Sequence, residues 1–542
     1  MVQRFNDVLA QALAGHGVEV MFGVMGDANM YVVDSFHRNE EGRFVPAANE
    51  GGAVLMAAGY AAVTGRVGVA TVTHGAIANC VSALFDATRG HYPLVVVAGD
   101  TVRSEAFHLQ NIPQRDVVVP TGAAYLQVRS VDTVTADLAA AMGQALAERR
   151  PVVLEVPADF QQAPTELAAP RRSRRAAGVL TPTLEDLEDA VGAIAGSNRP
   201  LVVGGRGAGA PGAADVLREL AVRIGAPVAT TLRGKGLFAG DPCDVGIVGT
   251  LSHPVASEVI ARADCLIVFG AALSALTTLK GELLDGKRLI QVDTDPGAPG
   301  RYFPVDVAIA GDASATARGL IELLDQAEVP AVGFRSDDLA RRIAAWHEED
   351  RATTPTDGPL TLTGVLHRVN EIVPRRRTLA IDGGRFSHEA LRILDVDHPW
   401  DYAHCLNVGH IGMGVGYGIG AAVGRPEVPA LVVVGDGGFM LGGLAEFNTA
   451  VRNDLDLLVV LLNDGAYGAE YYRFVGQDLD PSLTTFDWPD FTAVASSLGG
   501  TGLKIEEWSD FDRLAELVRP GSGPVLAEVV LDVATIPDPG WH

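Results

Sequence analysis

VVVGDGGFMLGGLAEFNTAVRNDLDLLVVLLNDGAYG, running from Val432 to Gly468, contains two apolar runs that each end in an acid or amide beside glycine. The first run closes on Gly435-Asp436-Gly437, a helical stretch follows, and the second closes on Asn463-Asp464-Gly465. Unbroken apolar runs read as strands buried on both faces, and so as parallel strands joined by a helix. Parallel strands bring their C-terminal ends to one edge, where open α/β sheets bind ligands. Asp436 and Asn463 are therefore expected to converge although 27 positions separate them. A carboxylate, an amide oxygen and the loop carbonyl of Gly465 make a hard oxygen set suited to Mg²⁺, which usually also holds diphosphate oxygens. Gly435, Gly437 and Gly438 let the backbone approach such phosphates, and the next helix N-terminus favours their charge. An ordinary Asp-Gly turn is the simpler alternative for either end alone; the pair at this spacing is more specific.

The same rhythm extends along all 542 residues. Short apolar runs such as VGVATVT, YPLVVVAG, RPVVLEV, RPLVVGG, DCLIVFG, RLIQVD and RTLAID alternate with Ala/Leu-rich helical stretches. This predicts an α/β protein of three doubly wound parallel-sheet domains. APTELAAPRRSRRAAGVLTPT (163–183) and EEDRATTPTDGPLT (348–361) lack periodicity and read as linkers. They divide the chain into domains at 1–165, 183–347 and 360–542, the first and third of similar strand style. The opening MVQRFNDVLAQALAGHGVEVMFG reads as an amphipathic helix and a strand, not a signal peptide.

Composition narrows the function classes. A net charge of −25 disfavours nucleic acid as a partner. No apolar run is long enough to span a bilayer, so no membrane association is expected. Cys80, Cys243, Cys265 and Cys405 are scattered without metal-site or disulfide spacing, which points to a cytoplasmic protein.

One acid stands alone in FVPAANEGGAVLMAAGYAAVTG (44–65): Glu50, among Ala, Gly, Val, Leu and Met. A carboxylate in apolar surroundings loses hydration unless something compensates it. Favouring the first turn of the helix it opens is the bland explanation.

With GDG and NDG in place, the whole chain resembles the thiamine diphosphate (ThDP) enzymes that include acetolactate synthase, benzoylformate decarboxylase and pyruvate decarboxylase. The resemblance implies a pyrimidine-binding domain, a central domain and a diphosphate-binding domain, in that order. It implies that Asp436, Asn463 and the Gly465 carbonyl hold Mg²⁺, with Ala466 and Tyr467 beside the cofactor; Asp464 replaces the second Asn of the usual pair. Glu50 matches the acid that bonds the pyrimidine nitrogen N1′ and favours the tautomer that deprotonates the thiazolium ring. The resemblance further implies a homodimer or homotetramer with its active site at the subunit interface. Met413 or Val415, in HIGMGVGYGIGAAVG, would support the bent cofactor. Asp382, Gly383, Gly384 and His388 end another strand and are expected to line the diphosphate pocket.

Further polar residues are candidates for meeting a 2-oxo acid. Asp27, in GDAN, resembles the pyruvate decarboxylase loop acid, and Glu470 matches a second acid of those enzymes. His74 stands where acetolactate synthases have glycine, and a histidine exchanges protons near neutral pH. His108 roughly matches one of a histidine pair in pyruvate decarboxylases, and Gln110 a glutamine of acetolactate synthases. The expected activity is ThDP- and Mg²⁺-dependent decarboxylation of a 2-oxo acid, with or without carboligation. The alternatives are an enzyme like 2-hydroxyacyl-CoA lyase or oxalyl-CoA decarboxylase, and a catalytically silent ThDP-binding regulator. Glycine-rich turns in LVVGGRGAGA (201–210), RGKG (233–236) and QVDTDPGAPGR (291–301) leave room for FAD, a nucleotide or CoA in the central domain.

Overall fold

A computed structural model describes residues 3–105, 107–166, 178–352, 355, 357–519 and 521–537. Its apolar runs form three all-parallel sheets. The first comprises β1 (Val20–Gly23), β2 (Arg43–Pro46), β3 (Gly68–Val72), β4 (Leu94–Asp100), β5 (Ala124–Gln127) and β6 (Pro151–Pro157), ordered β2-β1-β3-β4-β6-β5. The central sheet comprises β7 (Pro200–Gly204), β8 (Val228–Thr230), β9 (Asp244–Ile247), β10 (Cys265–Phe269), β11 (Arg288–Asp293) and β12 (Val307–Ala310), ordered β9-β8-β7-β10-β11-β12. The last comprises β13 (Thr378–Ile381), β14 (Ala430–Gly435), β15 (Leu457–Asn463), β16 (Thr501–Ile505) and β17 (Val525–Val530), ordered β13-β14-β15-β17-β16. Every residue of β3, β6, β7, β10 and β13 is buried, as two-sided helical cover requires.

The N-terminal pattern holds: a helix at Phe5–Gly15 precedes β1. The second linker expectation needs correction. EEDRA, its first five residues, completes the helix Asp337–Ala352, whose charged exposed face carries no breaker before Thr353. In the first linker stretch, Pro164–Thr165 pairs antiparallel with Gln3–Arg4, and residues 167–177 lie outside the described residues. Thr183 caps the next helix by accepting from the Asp186 N–H.

Without its edge strand β2, the first sheet has the same strand order as the last. Helix α1 (Glu50–Thr64) enters β3, and helix α2 (Gly414–Gly424) enters β14, at equivalent places. These two helices pack on each other so closely that glycine is required. A Cβ at Gly59 would lie 2.1 Å from the Tyr417 carbonyl oxygen, and one at Gly420 would lie 1.9 Å from that of Met56. Apolar residues of both units, including Val54, Ala58, Tyr417, Ile419 and Val432, belong to one continuous core. The central unit is tied on by Arg206, which donates to the carbonyls of Ala62, Pro399 and Tyr402 and lies 4.5 Å from the Trp400 ring. Lys235 adds bonds to the carbonyls of Leu391 and Arg392. No helix among the described residues is long and apolar enough to cross a membrane.

Candidate active site

The C-terminal edge of the last sheet gathers the residues expected to meet a cation. Asp436 follows β14, and its carboxylate accepts from Gly437 N (2.6 Å), Gly465 N (2.8 Å) and Trp488 Nε1 (3.0 Å). Asn463 ends the neighbouring β15, and its Oδ1 accepts from the same Gly465 N at 3.1 Å. Gly465 makes that turn at φ 67°, in the left-handed region that favours glycine. The amide of Asn463 is oriented from behind: its Nδ2 donates to Glu528 Oε1 at 2.7 Å, which turns the oxygen toward Asp436. Asp436 is 2% exposed, and burial pushes its carboxyl up to about 6. Burial and the charge of Asp436 push Asp464 up to about 7. A buried acid and a half-buried one beside an amide oxygen, with Asp436 met by N–H groups, form a donor set that a hard divalent cation would complete, so the residues fit Mg²⁺.

Asp382, fully buried, accepts from Gly383 N (2.8 Å), Gly412 N (2.8 Å) and Met413 N (3.3 Å). Burial raises its carboxyl to about 6. Its role is to shape the backbone at 412–414, which borders a cavity of about 700 Å³. Met413 lines that cavity together with Gly412, Leu441, Tyr467 and Glu470. Val415 is turned away, within contact distance of Gly443. Gly437 and Gly438 leave no room for a side chain, because Cβ atoms there would meet Tyr467 at 2.4 Å and Asp382 at 2.8 Å. Gly435 ends β14, Gly383 and Gly384 follow β13, and the Ala466 N–H donates to Asp464. His388 does not join this group: it sits on the helix Ser387–Ile393, with Nε2 3.3 Å from the Thr250 carbonyl of the central unit. One helical turn past Gly384 was enough to carry it off the edge.

On the first unit, Glu50 is the first residue of α1, whose N-cap Asn49 accepts from Gly52 N at 2.7 Å. The first-turn placement is therefore real, and Glu50 is also half-buried, accepting from Asn79 Nδ2 at 2.8 Å. Asn79 belongs to the short helix His74–Cys80 and lines the cavity, as do Asn49, Gly51 and Gly52. His74 opens that short helix, buried and at φ 40°. Its Nδ1 lies 3.2 Å from Asp27 Oδ1 and 3.0 Å from Thr73 Oγ1. The His108 ring stacks on it with centroids 5.2 Å apart, and Gln110 N donates to His108 Nδ1 at 3.2 Å. Burial holds His74 below the usual imidazole range against the opposing charge of Asp27. The chain thus brings Asp27, His74, His108 and Gln110 into one cluster, next to the helix that bears Asn79.

Sequence reasoning missed Glu446. This acid of the helix Leu444–Arg452 is 1% exposed and reaches across to the first unit, accepting from Ala48 N and Asn49 N and from Thr449 Oγ1. It caps the approach to α1 from the opposite unit and presses on Gly52, where a Cβ would lie 1.9 Å from Oε1. The one sequence signal was an acid sharing a helical face with Thr449 and Ala450. His410, in the loop before Met413, also lines the cavity.

Comparison with known proteins agrees with this layout. Residues 3–117 match the thiamine pyrophosphate enzyme N-terminal TPP binding domain, 187–320 the central domain and 382–529 the C-terminal TPP binding domain. A probable 2-ketoarginine decarboxylase of Pseudomonas aeruginosa is 29% identical, over 96% of this chain and 92% of its own. A sulfoacetaldehyde acetyltransferase of Alcaligenes xylosoxydans xylosoxydans is 28% identical, over 93% and 88%. An acetolactate synthase of Mycobacterium leprae is 29% identical, over 90% and 80%. With all three domains matched in order, the chain belongs to the thiamine diphosphate-dependent enzyme family.

Proposed function

We propose that the protein is a ThDP- and Mg²⁺-dependent carbon–carbon lyase or ligase that decarboxylates a 2-oxo acid, with or without transfer of the remaining acyl unit to a second carbonyl. The observation that carries this reading is the convergence of Asp436, the Asn463 amide oxygen and the Gly465 turn at the edge of β14 and β15. When bound, ThDP supplies a nucleophilic carbon that adds to the ketone and accepts the electron pair released with CO₂. Asp436, Asn463 and the Gly465 carbonyl would hold Mg²⁺ and, through it, the diphosphate. Glu50 would hold a proton against the pyrimidine nitrogen N1′, its carboxylate oriented by Asn79. Met413, on the cavity wall, would support the cofactor from below.

His74 would exchange a proton with the substrate oxygen or carbon. Asp27 can accept from Nδ1, which leaves Nε2 as the exchanging atom. Glu470 and His410, which line the cavity, would meet the carboxylate and tail of the substrate. A homo-oligomer completes the reading, with Glu50 of one subunit serving a cofactor held by the next, in the cytoplasm. FAD or a nucleotide in the central unit would meet the turn after β7. That turn already commits Arg206 to three carbonyls of the neighbouring units, which supports a structural role for it here.

The test is CO₂ release by purified protein with ThDP and Mg²⁺ across pyruvate, longer 2-oxo acids, 2-oxo acids with a guanidino tail and benzoylformate. Release from one of them, lost in Glu50→Gln while ThDP still binds, is the expected result. An aldehyde product marks a decarboxylase and an acyloin or acetohydroxy acid marks a synthase. Silence across the panel with ThDP demonstrably bound would overturn the 2-oxo acid reading in favour of acyl-CoA substrates, and an absorbance spectrum of the same preparation tests for FAD.

A further inference from the structure

The loop from β2 into α1 is held by a helix of the last unit, α3 (Leu444–Arg452). Glu446 Oε1 accepts from Asn49 N at 3.2 Å, and Ala48 N is shared between Oε1 at 3.2 Å and Oε2 at 3.1 Å. Thr449 Oγ1 donates to Oε2 at 2.8 Å and accepts in turn from Arg452 Nη2 at 3.0 Å. The same Arg452 nitrogen donates to the Pro46 carbonyl at 3.0 Å. Ala48 and Asn49 are exposed whereas Glu446 and Thr449 are buried, so a buried carboxylate ties the surface loop down onto α3. Its hydrogen-bond partners are all N–H or O–H donors, and both of its oxygens act as acceptors.

These bonds form a capping box divided between two units. Where the N-cap side chain accepts from the N–H of N3, an acid or amide at N3 commonly reaches back to the N-cap N–H. Asn49 is the N-cap of α1 and accepts from the N–H of Gly52, which occupies N3. Gly52 has no side chain to return the bond, and Glu446 returns it from the last unit. A Cβ at Gly52 would lie 1.9 Å from Glu446 Oε1, so the glycine opens the path that Glu446 uses. Glu50, at N1, is spared capping and accepts from Asn79 Nδ2 instead. The turn also presses on Asn79, whose carbonyl oxygen would lie 2.8 Å from a Cβ at Gly51. The first turn that carries Glu50 is thus gripped by Asn79 from its own unit and by Glu446 from the last.

We propose that Glu446 is a positioning residue for Glu50: by completing the capping box from the last unit, it fixes the direction in which the Glu50 carboxyl leaves α1. The proposal rests on the reading of Glu50 as the acid that meets the pyrimidine nitrogen. Asn49, Gly51, Gly52 and Glu446 all line the cavity, so the box is part of the cavity wall. Thr449 and Arg452 act through Glu446 by holding its carboxylate in place.

Amide exchange read by mass spectrometry tests the cap in protein without cofactor. In Glu446→Ala the peptide covering residues 47–52 should exchange about fivefold to tenfold faster than in wild type. Deuterium exchange at the thiazolium carbon of bound ThDP, without substrate, reads the action of Glu50 on the cofactor. That exchange should slow by about 10- to 100-fold in Glu446→Ala, with ThDP affinity near wild type. Glu446→Gln, which can still accept from Asn49 N, should recover most of the thiazolium rate. Where Glu446→Ala does not fold, Glu446→Asp, whose carboxylate stops one methylene short, takes its place with the same two readings. Wild-type amide exchange in the variant would overturn the cap. A wild-type thiazolium rate beside faster amides, or a Glu446→Gln rate as low as that of Glu446→Ala, would overturn the positioning role. Wild-type thiazolium exchange in Glu50→Gln is a separate failure: the reading of Glu50 falls and takes the positioning role with it, whatever the amide rates show.

Discussion

The first and last units share a five-strand order and place their equivalent helices, α1 and α2, against each other, yet their polar edges differ in kind. The last unit concentrates acids whose carboxyls are raised by burial: Asp382, Asp436 and Asp464. The first unit offers half-buried Glu50 and an imidazole cluster around His74. One topology thus presents two kinds of polar edge. A cation site needs preorganised oxygen donors out of water, whereas proton exchange needs groups that can change charge. The last strand turns bring donors together through backbone N–H groups; the first unit uses side-chain partners, Asn79 for Glu50 and Asp27 for His74.

Mutations divide along the same line. Glu50→Gln should cost about 10² to 10⁴ in turnover and leave ThDP binding near wild type, because it removes a proton-holding group and not a cation donor. Asp436→Asn should do the reverse. It weakens Mg²⁺-dependent ThDP binding by more than about 100-fold, measured as a change in Trp488 fluorescence because Trp488 donates to Asp436. Equal effects of the two changes on ThDP affinity would erase the division of labour.

The central unit supplies a control. His253 stacks on Trp346 at 4.0 Å, and burial, with His347, holds it down to about 4. The unfolded chain therefore binds more protons than the folded one between about pH 6.5 and 4. Stability is full above that window and falls as pH falls through it, by about 3 kcal/mol for this group at the acid end. Denaturation midpoints against pH should show the slope in wild type and a reduced one in His253→Gln.

Gly59→Ala and Gly420→Ala probe the contact between the two equivalent helices. Each puts a methyl group into backbone of the opposite helix and should destabilise by about 1–3 kcal/mol in chemical denaturation. Similar costs would confirm that the crossing is used symmetrically; a cost at one glycine alone would break the equivalence. The smallest effect is expected at Glu528→Ala, where loss of the partner that orients Asn463 should weaken Mg²⁺ affinity about tenfold, with Glu528→Gln milder.

Much of this was legible in the residues. Apolar strands ending in GDG and NDG announced a parallel sheet whose edge brings Asp436 and Asn463 together, because strand period and edge polarity are local properties. Glu50 drew notice as a lone acid, although its first-turn placement and its half-burial beside Asn79 turned out to coexist. His388 misled, since a residue shortly after a strand end reads as an edge residue until helical phase turns it toward Thr250. The choice between Met413 and Val415 was likewise a matter of phase over two residues.

By itself, then, the sequence determined the class of fold and the number and order of the units, since these follow from patterning along the chain. Tertiary structure alone decided that Glu446 reaches across to cap α1 and that Glu528 orients Asn463. Each of those contacts joins residues far apart in sequence on separate elements. Their energies depend on burial and on orientation across a few ångströms, which no local pattern encodes.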